Sequence, residues 1–567
     1  MTAINPALIS VVVVAVFGLG FVGYGRFLAG HIFKLDNNRI TPAHQYEDGI
    51  DYIPTPRWIL WGHHFASVAG AAPIIGPAIA VIWGWLPALL WVVLGTIFIA
   101  GMHDMGTLWA SLRHEGRSMP SLAGRLISPR ARALFLLIVL FLVIMVNAVF
   151  AAAIAQLFIS TPESVLPYWL QIPVALTVGV LIYRYKASAL MVSVLGLLLM
   201  FALLGVGIGF PMRLPQTLLG LDSKAWWVLL MLIYGAIASR LPVWLLLQPR
   251  DFMNSHMLFV GLLLLLLGLW VGHPPFSAPA INASPPPGTP PLWPLLFITI
   301  ACGAISGFHG LISSGTTSKQ LDKEKDALVV GYGGAMGEGL LAMLAIMATT
   351  AGIGGVSAWN AAYGDWTSVS QGGVSHFVTG AAHFLGYLGI PDKIGSTFIS
   401  VMVIAFAATS LDTSMRLQRF LLAEIGTEYR ISWLQRVNVS TLIGFSACVI
   451  LAFFADPEHP GQGGMILWPL FGTTNQLTAA LSMLMMLTLL YKLDRARLIV
   501  WIPFLWVLVM TTWSMLLNLL HYFRVGNELL LVVGGIIMIL NLWLILEGFY
   551  VLRFYVFPGL DRKDETR

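Results

Sequence analysis

Long apolar stretches recur along this chain, separated by short polar or basic connections. A helix rises about 1.5 Å per residue, so roughly 20 apolar residues cross a hydrocarbon layer of about 30 Å. Fifteen stretches approach that length: 4–24, 58–82, 86–109, 131–158, 171–184, 188–209, 226–248, 255–272, 293–315, 327–352, 394–422, 435–455, 466–491, 498–521 and 529–555. The stretch 171–184 is short, and several pairs fit re-entrant turns as well as full crossings. The first follows Met1-Thr2-Ala3 with neither a basic leader nor a small-residue cleavage site, so it reads as a retained span.

Basic residues orient this map, because loops facing the cytoplasm are enriched in lysine and arginine. With the amino terminus outside, all but Arg213, Lys224, Lys393 and Arg524 of the 31 lysines and arginines fall in inside loops or adjoining helix ends. A miscounted span would scramble the asymmetry beyond the error. The carboxyl-terminal tail, 556–567, is then cytoplasmic. Two outside segments stand out. Residues 353–393 carry Trp359, Tyr363, Trp366 and two histidines and are expected to cap the outer mouth. Residues 272–292 include Pro285-Pro286-Pro287 and should be extended.

Composition agrees with an all-α integral membrane protein. The chain is 58% hydrophobic and 10% charged, against about 25% charged in soluble domains. The net charge of +5 is spread over many loops and argues against nucleic acid as a partner. Membrane lipid and a small-molecule solute are the expected partners, and a homo-oligomer is compatible with the sequence. Cys302 and Cys448 lie in apolar runs and form no disulfide or metal motif. A GxxxxGK[ST] phosphate loop is absent, which excludes that kind of ATP-driven pump. No cofactor and no enzymatic activity are expected.

Polar groups at membrane depth are costly, so they mark candidate sites. The span 58–82 contains His63, His64, Gly70, Pro73, Gly76 and Pro77. Such a run should interrupt the helix and expose carbonyls and amides to a solute or ion. The bland alternative is a kinked packing helix. In 293–315, His309 and Ser313 are four apart and share a helix face. Ser313, Ser314 and Thr317 offer hydroxyls for sodium, or satisfy their own backbone. Asp104 beside His103, Glu338 in a glycine-rich helix, and His64 or His309 suit a proton relay. A metal on His63, His64 and His309 is a lesser alternative, since the local pair lacks helical ligand spacing. Asp412 and Arg416 are four apart and fit a simple pair. Asn475 and Gln476 read as packing groups. Arg240 fits a carboxylate grip or a side chain reaching toward the inner surface.

The stretches DGIDYIPTPRWILWGHHFASVAGAAPIIGP (48–77), LPVWLLLQPRDF (241–252), FITIACGAISGFHGLISSGTTSK (297–319), GYGGAMGE (331–338) and LWPLFGTTNQLTAALSML (467–484) resemble the carbon starvation protein A family. The resemblance covers about residues 20–495. It implies a bacterial inner-membrane transporter made when carbon runs short, importing short peptides or, in related members, pyruvate with protons. It also implies kinship to the amino acid–polyamine–organocation superfamily, whose LeuT-like core is a five-plus-five inverted repeat. The expected organisation is an outer helix and cytoplasmic loop (1–57), a core of two repeats (58–209 and 226–422), and accessory helices (423–555). On that plan 226–248 is core helix six, with Gly235 and Pro242 as break points, and 293–315 is core helix eight. Substrate is expected at Ala69, Gly70, Ala71 and Pro73, with Gly235, Arg240 and Phe308. The coupling ion, H⁺ or Na⁺, is assigned to His63, His64, Asp104, His309, Ser313, Ser314, Thr317 and Glu338. A sodium site by fold position would use Ala69, Ala72, Ser313, Ser314 and Thr317. The chain departs from larger members in a shorter outer region and in Arg240. A nutrient-binding sensor and a metal-dependent membrane protein remain the alternatives.

Overall fold

The computed structural model describes residues 5–49, 51–242, 244–456 and 458–556. The tail expected to be cytoplasmic therefore lies outside them from residue 557. The chain is almost entirely helical. Its principal elements are α1 (Pro6–Ile32), the bent pair α2 (Arg57–Ala69) and α3 (Ala72–Trp83), α4 (Trp85–Leu112), α5 (Met119–Leu126), α6 (Pro129–Ser160), α7 (Val165–Tyr183), α8 (Ala189–Gly209), α9 (Ser223–Ala238) and α10 (Leu247–Gly272). They continue with α11 (Leu292–Thr299), α12 (Gly307–Gly315), α13 (Leu328–Thr350), α14 (Val356–Ala362), α15 (Trp366–Gly386), α16 (Asp392–Glu428), α17 (Val437–Phe454), α18 (Trp468–Lys492), α19 (Leu498–Arg524) and α20 (Glu528–Val556). Among the described residues, 10 helices are long and apolar enough to cross a membrane, or 11 with α2 and α3 as one span bent by 49°. The protein is a multi-pass helical membrane protein.

The break between α2 and α3 falls at Gly70, where φ is +48° and ψ is −156°. That backbone is strained for any residue with a Cβ. The helix restarts at once because Pro73, in the first turn of α3, lacks an N–H that would need a partner.

Three expected spans are corrected. In 226–248 the break expected at Gly235 is absent, and the helix runs through it and stops short of Pro242. α9 is started by Asp222, whose carboxylate accepts from the Ala225 N–H at 2.7 Å, and it ends at Ala238. The chain then turns where Pro242 disfavours continuing helix. The next span accordingly begins at Leu247 rather than 255, which carries Arg250 and Asp251 into the buried bundle. Residues 293–315 are also discontinuous. α11 ends at Thr299, the chain unwinds through 300–306 with Gly303 at φ +89°, and α12 begins at Gly307. Within the outer segment 353–393, Asp365 accepts from the Ser368 N–H at 2.7 Å and starts the 21-residue helix α15. This helix is not a loose cap. A Cβ at Gly380 would overlap the Ala348 carbonyl, so α15 and α13 touch backbone to backbone.

The two longest helices, α6 and α16, cross at the centre of the bundle. α3 packs on α13, and α12 packs on α4. α10 touches α2, α15 and α16, while α18 touches α11, α5 and α6. The two breaks meet in this centre. A Cβ at Gly76 would strike the Thr299 carbonyl, and one at Gly303 would lie 3.5 Å from the Pro73 Cβ.

Candidate functional site

α12 begins immediately after an unwound segment, and a side chain from α18 holds that start in place. Asn475 Oδ1 accepts from the Phe308 N–H at 2.9 Å, and its Nδ2 donates to Ser306 Oγ at 3.0 Å. One helical step later His309 points into a fully buried charge cluster. Its Nδ1 lies 2.9 Å from Asp104 Oδ2, and His103 Nδ1 lies 2.8 Å from Asp104 Oδ1. An ionised carboxylate only accepts, so both Nδ1 atoms donate and each neutral ring leaves Nε2 as an acceptor. His309 Nε2 then faces Glu338 Oε1 of α13 at 3.2 Å, without hydrogen-bond alignment. Two acceptors facing each other at that distance require a proton on one of them. Asp104, His309 and Glu338 thus bring α4, α12 and α13 together at one buried contact.

His64 joins α2 to the end of α12. Its Nδ1 lies 2.8 Å from Thr317 Oγ1, and its Nε2 has no partner among the described residues. Ser314 Oγ donates to the Gly310 carbonyl at 2.6 Å and accepts from the Met119 N–H at 3.2 Å. Of the three expected sodium hydroxyls, only Ser313 Oγ lacks a partner among the described residues. Ala69, Gly70, Ala71 and Pro73 are buried at the first break. Facing Gly70 are Ser410 of α16 and Phe150 of α6, and Ser410 Oγ also has no partner among the described residues.

The remaining expected residues are not brought together there. His63 is half-buried on α2. Gly235 packs against Leu411 and Met415 of α16. Arg240 is exposed in the turn after α9, because α9 ends two residues earlier. Cys302, His309 and Glu338 each offer one donor atom within 4.8 Å of the others. Three donors fall short of a closed four-coordinate site, and this grouping differs from the three-histidine alternative.

Sequence reasoning missed Ser410, the clamp formed by Asn475, and a second buried cluster around Arg250 and Asp412. The signal for the last was present. The run Pro249-Arg250-Asp251 stands at the start of an apolar helix, where two adjacent opposite charges need a tertiary reason.

A bundle with two facing broken helices and a buried charge network has the architecture of a membrane transporter. It matches a crystal structure of the Eremococcus coleocola manganese transporter, mutant H236A, with a TM-score of 0.52 over 89% of this chain and 99% of that one. At 13% identity the likeness is one of fold. The chain belongs to the family described as carbon starvation protein CstA, which it matches over residues 5–364 and 353–514. Its relatives include the peptide transporter CstA of Escherichia coli strain K12, 31% identical over 90% of this chain and 80% of that protein. The pyruvate/proton symporter BtsT of the same strain is 30% identical over 91% and 82%. The peptide transporter CstA of Bacillus subtilis strain 168 is 29% identical over 87% and 86%.

Proposed function

We propose that this protein is a secondary transporter that carries pyruvate or short peptides into the bacterial cytoplasm together with a proton, when carbon is scarce. It sits in the inner membrane with its amino terminus periplasmic. The observation that carries the reading is the His309–Glu338 approach at 3.2 Å, with Asp104 fixing the other face of the imidazole. Substrate binds at the breaks, against Gly70, Ala71 and Ser410. The proton sits between His309 and Glu338, where it pulls α12 toward α13. Solute and proton are coupled because both favour the same closed arrangement. Relatives named for peptide transport and for pyruvate/proton symport support the solute and the ion. Sodium is disfavoured because most of its expected hydroxyls already have partners.

The core is a five-plus-five inverted repeat in fifteen passes, divided at 57–272 and 292–492 rather than at 58–209 and 226–422. Mirrored packing supports that division. The contact of α3 with α13 has its counterpart in α12 with α4. α9 lies on α6 as α17 lies on α16, and α10 meets α15 as α18 meets α5. The hairpin α7–α8 is then an insertion, and α1, α19 and α20 are peripheral. Four further passes, α8, α9, α11–α12 and α18, complete the fifteen.

The test is uptake of labelled pyruvate and alanyl-alanine into proteoliposomes under separate proton and sodium gradients. Accumulation driven by the proton gradient is expected. Binding without accumulation would favour a sensor instead.

A further inference from the structure

Ser410 and Asp412 are two residues apart on α16 and so face roughly opposite sides of the helix. Away from the breaks, Asp412 meets Arg250 of α10, whose side chain is 1% exposed. Arg250 Nη1 lies 2.5 Å from Asp412 Oδ2 and donates to the Tyr234 hydroxyl at 2.5 Å. That hydroxyl in turn donates to Asp412 Oδ2 at 2.9 Å. One nitrogen thus takes all the close contacts. Nε and Nη2, the parallel pair that grips a carboxylate side-on, have no hydrogen-bond partner among the described residues. Leaving two guanidinium donors buried and unpaired is costly. Asp251 does not fill the gap, since its Oδ1 stops 3.9 Å from Nη2 and is itself unpartnered among the described residues. The same holds for Asp412 Oδ1 and the Tyr168 hydroxyl. One turn along α16 from Asp412, Arg416 donates to the Leu241 carbonyl in the α9–α10 turn, where Arg240 is exposed.

We propose that the free edge of Arg250 is a second binding site, specific for a small carboxylate anion such as a monocarboxylate or a peptide terminus. The occupant's two oxygens take Nε and Nη2, and the Tyr168 hydroxyl is available as a further donor. Arg240 and Arg416, toward the α9–α10 turn, raise the local concentration of anions. Charge decides a companion condition. Arg250 and Asp412 cancel, so an ionised Asp251 would repel the anion. Asp251 must carry a proton when the anion is bound, and anion and proton enter together. The groups acting on Asp251 are Arg250 beside it and Asp412 and Thr409 from α16, while Tyr168 from α7 and Tyr234 from α9 act on Arg250 and Asp412. The choice of anion rests on the transporter reading, whereas the unpaired guanidinium edge does not.

The test is calorimetric titration of the purified full chain with pyruvate and alanyl-alanine. Methyl pyruvate and alanyl-alaninamide serve as counterparts lacking the carboxylate. Arg250→Lys keeps the charge but loses the fork. It is expected to remove one bound acid per chain or to weaken it at least tenfold, with the ester and amide not bound at that site. Asp251→Asn is expected to bind at least as tightly as the wild type and to lose the decline in affinity with rising pH. An unchanged count and affinity in Arg250→Lys overturns the proposal, as does a wild-type chain that binds neither acid. Should Arg250→Lys not fold, Asp251→Asn decides, and a wild-type pH profile in that variant overturns the proposal. Binding that depends on Arg250 without any uptake would remove the transporter reading and leave this site standing.

Discussion

Replacing Gly70 by alanine sets the break in α2–α3 against the chemistry it is proposed to hold. Gly70 has φ +48° and ψ −156°, a backbone that strains other residues by about 1–3 kcal/mol. The new Cβ would lie 2.7 Å from Ser410 Oγ and 3.4 Å from Phe150 Cε2. Ordinary contact begins at 3.4 Å, so Ser410 must retreat by about 0.7 Å. Overpacking of this kind costs about 1–3 kcal/mol. Together the two terms set about 2–6 kcal/mol against the break as it stands. Since about 1.4 kcal/mol is a factor of ten in rate, initial uptake into proteoliposomes should fall at least tenfold. The melting temperature of the purified protein should fall with it. Adding Ser410→Gly removes the overlap but not the backbone strain, so the double variant should recover only part of the loss in melting temperature. A Gly70→Ala protein that melts and transports like the wild type would refute the reasoning. The break would then not need glycine's conformation, and its burial at a solute site would lose its physical basis.

Glu338→Gln should abolish proton-driven accumulation at least tenfold while solute exchange across the membrane continues, measured as counterflow in the same vesicles; loss of both together would make Glu338 structural. Gly380→Ala should fail to yield folded protein, because its Cβ has no space beside the Ala348 carbonyl, whereas Gly18→Ala, which meets nothing within 4 Å, should be neutral in expression and melting. Arg132 pairs with Glu424 at 2.6 Å and Glu428 at 3.2 Å, but it is 33% exposed. Arg132→Ala should therefore cost no more than about 1 kcal/mol in denaturant titrations, and less in high salt.

The apolar stretches revealed the helices because lipid-facing and core-facing residues are alike hydrophobic. What they could not reveal was where polar sequence runs on inside a helix. Arg250 looks like a loop residue until Asp412, more than 160 residues later, pairs with it. The unwound stretch 300–306 carries no proline, and Gly303 is its one local mark. Its conformation is held by Asn475, more than 160 residues later. α15 falls in the segment expected to cap the outer mouth, and nothing in its sequence shows that Gly380 is a contact point with α13. At the candidate site the residue types were legible one by one. Their partnership was not, because Asp104, His309 and Glu338 come from three helices and share no sequence spacing.

That partnership bears on how a proton could drive movement. Asp104 holds the ring of His309 from α4, so the imidazole cannot turn away when its proton leaves. Loss of the proton leaves Nε2 and the Glu338 carboxylate as facing acceptors at 3.2 Å, in a site too buried for water to screen them cheaply. The repulsion acts between α12 and α13, not within either. α12 is tied at its start to α18 through Asn475 and at its end to α2 through Thr317 and His64. A push between α12 and α13 therefore reaches both broken helices at once. A lone carboxylate on α13 would feel the same proton but would have no fixed partner to push against. The coupling argument thus rests on the pair, and it requires that His309→Gln, which keeps a polar group but cannot be protonated, stop proton-driven uptake as fully as Glu338→Gln does.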